Sequence, residues 1–362
     1  MTAVFYVKPM NQENMTTQEK SKKKSFRYLI LLVIVGLAVN FILPKLMDIN
    51  QAFQVLLNMT WWLVFAAAFA EALVYISYGF SMKSILDIQG HNLSIFQTAL
   101  IFLSSYSVGT VAGGWIGSAA TSVSLFAKKG VKPVDSTVAG LLPSMLTNIP
   151  LSVLGIIGMI SLAVNNGLSQ SRLIQYSVFI GLLLLISLAP LIGLAFPKAA
   201  FKLVNWLLWN WNRFRKKPYE PQNTQDKLDD FFNAWRLMGK GNWWAPLLGV
   251  TGYYLFDMLT MGLIFRAAGY PIKLAVLIAG YALPYILAKV TFIIPGGIGV
   301  IETAMAGFFV SQAVPDDIAL VVVLGYRLIS FWIPILLGFL GYFLLNRSKD
   351  SGKEKPTPQD RV

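Results

Sequence analysis

No cysteine occurs in the 362 residues. That excludes a disulfide framework, a thiolate metal site and a thiol nucleophile. Histidine is almost as scarce. His91 is the single one, and it sits in a polar stretch, so a histidine metal cluster lacks its ligands. Ser–His catalysis within a membrane lacks parts as well, and no paired aspartates stand out as an aspartyl dyad. Charge is scarce too. Charged residues make up 13% of the chain, against about 25% in soluble domains. These absences point away from an enzyme, and they imply no cofactor and no metal.

What is present is apolar. Hydrophobic residues reach 56%, above the roughly 45–50% of soluble domains. Apolar runs long enough to span a bilayer recur, which predicts an all-α polytopic membrane protein. The formal net charge is +13. The basic residues cluster in an N-terminal arm, a central linker and a tail. That distribution fits the positive-inside rule and anionic lipid headgroups, and not nucleic acid.

Residues 1–27 form a polar, basic arm that reads as disordered and cytoplasmic. A run at 28–46 follows without a small-x-small cleavage site, so it is expected to be an uncleaved first span. A second span is predicted over 61–80. The residues after it, with Lys83, Asp87, His91 and Asn92, are expected to be a cytoplasmic loop. A third is expected over 134–162, bent by Pro143 and Pro150. A fourth runs over 173–196 and completes a first transmembrane half, 28–196. The linker 197–243 carries excess Lys and Arg and is placed inside. Its beginning, 201–211, mixes aromatic and basic residues at helical spacing. It reads as an interfacial extension of the preceding helix or as a lipid-headgroup sensor. The second half, 244–345, holds spans at 244–265 and 318–345. The tail, 346–362, is placed inside, so both termini are cytoplasmic.

Two apolar blocks do not fit this scheme. The block 93–127 is too long for one upright span and is interrupted by Gly109, Gly113, Gly114 and Gly117. Both its ends belong inside, which implies a re-entrant hairpin or two tight spans. The block 274–312 both enters and leaves on the outer side, and is interrupted at Pro295-Gly296-Gly297-Ile298-Gly299. The two halves then share one order with reversed orientation. The expectation is about six full spans plus two re-entrant hairpins, eight hydrophobic segments in all, arranged as an inverted repeat.

Ionisable residues at membrane depth cost a few kcal/mol or more and usually face a cavity or a partner. The candidates are Glu71, Asp257, Lys289, Glu302 and Arg327. Glu71 and Asp257 fall in the first span of each repeat half, 61–80 and 244–265, which suits a shared central cavity. Glu302 follows the glycine break by about one turn. It can stabilise the helix N-terminus, bind a cationic headgroup, or pair with Lys289 or Arg327. Backbone N–H groups at Gly296, Gly297 and Gly299 can hold a lipid phosphate. Arg327 either reaches the outer interface or faces the cavity.

The run Pro295-Gly296-Gly297-Ile298-Gly299-Val300-Ile301-Glu302, with Tyr326-Arg327 and Phe331-Trp332-Ile333-Pro334, resembles the second-half signature of a known family. That family is the lysylphosphatidylglycerol synthase/flippase transmembrane domain family, which includes the membrane half of the multiple peptide resistance factor. The resemblance covers most of residues 28–345. It implies a protein of a prokaryotic cytoplasmic (inner) membrane that moves a phospholipid, anionic or aminoacylated, between leaflets. The family's first-half motif reads Pro-Gly-x-x-Gly-Glu followed by Arg. Here the matching stretch is Ala112-Gly113-Gly114-Trp115-Ile116-Gly117-Ser118-Ala119, which lacks the Pro, Glu and Arg. No soluble aminoacyl-transfer domain follows the last span, so lipid synthesis is not expected. The function expected is translocation of a phospholipid or lipid-linked substrate. The alternative is a non-transporting scaffold or regulator of a lipid-modifying or glycosyltransferase enzyme. Membrane lipids are the expected partners, together with a homo-oligomer or a membrane enzyme.

Overall fold

Glycines with positive φ, at Gly90, Gly130 and Gly269, close three of the helices of this protein. The computed structural model describes residues 49–111, 114–164, 244–290 and 298–347, with isolated helical positions between 171 and 210. The predicted span 28–46, the terminal arms, and most of 173–196 and of the linker lie outside the described residues. Lys202, Asn205, Trp206, Trp209 and Asn210, at the start of that linker, are helical.

The first half contains α1 (Ile49–Leu57), α2 (Trp61–Ile88), α3 (Ile95–Val111), α4 (Gly114–Lys128), α5 (Pro133–Leu146) and α6 (Asn148–Val164). The second contains α7 (Trp244–Ala267), α8 (Leu274–Val290), α9 (Val300–Ser311) and α10 (Asp316–Arg327). A π-helical turn (Leu328–Trp332) then leads into α11 (Ile333–Arg347). The described residues contain no strand. Among the described residues, four stretches are long and apolar enough to cross a membrane: Trp61–Ile88, Pro133–Val164, Trp244–Ala267 and Asp316–Asn346. The helices α3, α8 and α9 are apolar but shorter.

Helix α2 corrects the sequence reading at its C-terminal end. The expected loop at Lys83 and Asp87 is helix. The two side chains form an i,i+4 ion pair at 2.7 Å on an exposed face, which a helix surface accommodates. The helix stops only at Gly90, with φ +82°. There His91 N–H donates to Leu86 C=O and Gly90 N–H to Asp87 C=O. This is the Schellman arrangement, which needs a left-handed residue after the helix. The long span Pro133–Val164 is interrupted, as its prolines suggested. Pro143 lies inside α5 and the chain turns at Thr147. Pro150 falls in the first turn of α6, where a missing N–H costs nothing.

Helices α2 and α7 form the central, antiparallel pair. Thr60 N–H at the start of α2 donates to Ala267 C=O at the end of α7, 2.9 Å away. A Cβ on Gly249, early in α7, would meet Ser77 and Ser81, late in α2. Around this pair, α3 packs on α2, α4 and α11, while α8 packs on α6 and α9. Both contacts need small residues. A Cβ on Gly338 of α11 would collide with Ser107 and Leu103 of α3, and one on Gly158 of α6 with Ala279 of α8. Small residues let backbones approach where lipid offers no hydrophobic drive between helices.

Two ends of the bundle follow from these contacts. At one end, Lys128 closes α4 with a hydrogen bond to Asn346 at the end of α11. His91 lies 2.8 Å from Asp135 at the start of α5. At the other, α1 packs on α10, beside the Thr60–Ala267 junction. The larger apolar core lies among α6–α10 and includes Leu151, Phe265, Tyr281, Ile286 and Phe309. A smaller one lies among α2–α5 and includes Ile85, Ile101, Phe126 and Val138. The outer surface stays apolar, with Phe65, Phe69, Leu255, Leu259, Leu337 and Leu340 exposed. Such a surface suits hydrocarbon as solvent.

Candidate functional site

Gly299 supplies the conformation from which the site is built. Its φ is +83°, a region that glycine enters without the penalty a Cβ brings. Helix α9 begins at the next residue. Glu302, in its first turn, reaches back, and its Oε2 accepts the Gly299 N–H at 2.7 Å. A helix N-terminus has such donors to spare, and a carboxylate satisfies one while meeting the positive end of the dipole. The other oxygen, Oε1, accepts from Arg327 Nε at 2.6 Å. Glu302 is 3% exposed and Arg327 2%. Of the three roles open to Glu302 in the sequence, two are filled, the helix start and the ion pair.

Arg327 does not reach an outer interface. It is the last residue of α10 and faces inward, with its guanidinium carbon 4.0 Å from the centre of the Phe331 ring. That contact adds cation–π attraction to the ion pair. The π turn begins at the next residue, Leu328. Such turns inside helices frequently mark functional sites, because they rotate the following side chains by one position.

A second group of polar side chains lies alongside. Asp257 of α7 accepts from Tyr326 OH at 2.7 Å and from Tyr281 OH at 2.8 Å. Tyr285 OH lies 2.7 Å from Tyr326 OH. Asp257 is 3% exposed and Glu71 of α2 is 4% exposed. The Glu71 carboxyl faces Asp257 and Thr260. Tyr326 and Arg327 are sequence neighbours, so the two groups share one backbone segment.

Lys289 stands apart from both. Its Nζ donates to Asn148 Oδ1 at 2.5 Å and to Thr147 Oγ1 at 3.2 Å. These residues form the break between α5 and α6. The pairing of Glu302 that the sequence left open thus goes to Arg327 and not to Lys289. Gly296 and Gly297 lie outside the described residues. Among the described residues no group of three or more His, Asp or Glu side chains could hold a metal.

The sequence reading missed the tyrosines and the Lys289 partners. Tyr281 and Tyr285 are spaced one helical turn apart on α8, a spacing that puts both hydroxyls on one face. That periodicity was visible. Nothing in the sequence tied them to Asp257.

The sequence that builds this site has counterparts in other proteins. The family model for the lysylphosphatidylglycerol synthase TM region matches residues 28–338. The chain belongs to that family. A UPF0104 membrane protein of Methanocaldococcus jannaschii is 26% identical over 140 residues, 38% of this chain and 41% of the relative. A UPF0104 membrane protein of Methanothermobacter thermautotrophicus is 25% identical over 146 residues, 39% of this chain and 42% of the relative. One of Pyrococcus horikoshii is 44% identical over 57 residues, 16% of each chain. The chain thus matches less than half the length of each of these archaeal relatives. Membership in the lysylphosphatidylglycerol synthase TM region family agrees with the apolar exterior and the four spanning stretches: this is a membrane-embedded protein.

Proposed function

We propose that the protein moves a phospholipid or a lipid-linked substrate between the two leaflets of a prokaryotic cytoplasmic membrane. The observation that carries this reading is the buried Glu302–Arg327 pair, set between a glycine turn and a π turn. An ion pair so buried is strong only while both partners stay in place. A phosphate can replace Glu302 on Arg327, and an amine can replace Arg327 on Glu302, so a charged headgroup has a ready-made exchange site. The left-handed Gly299 lies one turn before Glu302 and the π turn begins directly after Arg327, so each partner adjoins a departure from regular helix.

In this reading the two halves form an inverted repeat with alternating access. Several observations support it. The first span of each half ends on the same cap, at Gly90 and at Gly269. The second arm of each hairpin also ends on one, at Gly130 and at Ala313. The first arm of each hairpin packs on the helix that follows the hairpin in the other repeat unit, α3 on α11 and α8 on α6. The α3–α4 hairpin opens toward the Lys128–Asn346 end, and the α8–α9 hairpin toward the opposite one. Both termini are then cytoplasmic, and the protein is a carrier and not an enzyme.

The test is a reconstituted leaflet-exchange assay with anionic, zwitterionic and aminoacylated fluorescent phospholipids. At least one headgroup should cross faster than in protein-free vesicles, and Glu302→Gln should abolish the gain. Unchanged rates for every headgroup would sink the proposal. A second reading, a non-transporting scaffold, is favoured by the basic linker 197–243. Deleting 212–240 separates the two: a lost partner protein with intact lipid movement favours the scaffold.

A further inference from the structure

Three charges of the interior are accounted for. Glu302 neutralises Arg327, and Lys289 donates to the Thr147–Asn148 break. The remaining two are Glu71 and Asp257, buried at one level of the two central helices: the Thr260 hydroxyl, one turn on from Asp257, reaches the Ala67 carbonyl, one turn before Glu71, and the two carboxyl groups interact. Two buried carboxylates in contact cannot both stay ionised, since each disfavours the charge of the other and burial disfavours both.

The hydrogen bonds decide which one carries the charge. Asp257 accepts one tyrosine hydroxyl on each oxygen, which is what an ionised carboxylate needs. Glu71 receives nothing comparable. Its Oε2 is buried and meets no partner among the described residues. Thr260, which it faces, already directs its hydroxyl to the Phe256 and Ala67 carbonyls, at 3.0 and 3.4 Å. A hydroxyl so used can only accept from Glu71. Tyr281 and Tyr326 are committed to Asp257. An ionised Glu71 would leave one acceptor-only oxygen, Oε2, buried without a donor. A protonated Glu71 can donate, to Thr260 or to Asp257.

We propose that Glu71 and Asp257 form a proton-binding site at the centre of the protein, with the proton on Glu71 and the charge on Asp257. The other titratable groups near enough to feel a charge on Glu71 are Tyr75 of its own helix, Tyr106 of α3 and Tyr326 of α10. Helix α5 also packs on α2, and its one titratable residue, Asp135, is turned to His91 at the end of the bundle. Arg327 is the basic group in reach of Asp257, and Glu302 occupies it. The site lies between the two longest contacting helices, one from each half. Releasing the proton puts two like charges across that contact and drives the helices apart. The site itself stands on the hydrogen-bond geometry. Its use, coupling proton movement to lipid movement, rests on the translocase reading.

Two measurements test it. Infrared difference spectroscopy of the purified protein at neutral pH should show the carbonyl stretch of a buried carboxylic acid. The band should disappear in Glu71→Gln and persist in Glu302→Gln. Carbon-13 glutamate labelling of the unaltered protein should shift it, which assigns the band even if Glu71→Gln does not fold. A missing band, a band shifted by labelled aspartate only, or a band removed by sodium at constant pH overturns the site; the last outcome would mean a metal cation instead. In proteoliposomes, an imposed pH gradient should change the initial rate of lipid exchange several-fold, and Glu71→Gln should lose that response. Lipid exchange indifferent to the gradient overturns the coupling and leaves the translocase reading intact. No lipid exchange at all overturns the translocase reading and the coupling, while the infrared band decides the site alone.

Discussion

Arg327 is held by two contacts, the Glu302 carboxylate and the face of Phe331, and these offset the cost of taking its charge out of water. Removing one partner of a buried ion pair leaves a lone charge, at a cost of about 3–5 kcal/mol, whereas removing both is far milder. Glu302→Gln and Arg327→Gln should each lower the unfolding temperature in detergent, and the double variant should recover a good part of the loss. The double variant should still not move lipid, because the exchangeable charges are gone. Additive losses in the double variant would argue that the two side chains do not act as a pair. Tyr326→Phe removes one donor from Asp257. A hydrogen bond to a charged group is worth about 1.5–3 kcal/mol, so a loss of that order is expected in the same unfolding measurement.

The elements end on shared caps that differ in one residue. Three left-handed positions after a helix are glycine, at Gly90, Gly130 and Gly269, and the fourth is Ala313, with φ +61°. A left-handed conformation costs an L-residue about 1–2 kcal/mol. Ala313→Gly should therefore stabilise the protein, and Gly269→Ala should destabilise it, each by about 1 kcal/mol. Thermal unfolding of the two variants checks both signs. Helix packing offers a second contrast. Gly307 of α9 has open space where a Cβ would go, while Gly338 of α11 is pressed on α3. Gly307→Ala should be neutral or stabilising by up to about 1 kcal/mol, the helix-propensity gain. Gly338→Leu should separate α11 from α3, and proteolysis of the detergent-solubilised protein should report it as a new cleavage site.

At the scale of the whole molecule, the prediction concerns the two ends. Asp316 and Lys129 are exposed, one at the opening of the α8–α9 hairpin and one at that of α3–α4. Cysteine placed at each, in a chain with none of its own, should react with a membrane-impermeant reagent from opposite sides of the membrane. Labelling of both from one side would remove the proposed inverted repeat and leave the packing unexplained.

Much of this architecture was legible beforehand because the penalty for polarity in hydrocarbon is large. It makes Glu71, Asp257, Lys289, Glu302 and Arg327 conspicuous, and it makes glycine clusters in apolar runs read as breaks. The hairpin blocks 93–127 and 274–312 stood out for the same reason. Element ends were less legible. Lys83 and Asp87 look like a loop one residue at a time, yet they neutralise each other across one helical turn. Partners were not legible at all. Glu302 meets Arg327, 25 residues away, because α9 and α10 pack against each other, and composition cannot say which cation a buried acid will face. Nor could it bring Tyr281, Tyr326 and Glu71 around Asp257 from four helices. The sequence by itself determined the solvent, four of the spans and the list of costly groups, since each of these depends on local chemistry. Only the tertiary structure decided which of those groups neutralise one another and which one is left needing a proton, since that depends on which helix faces meet.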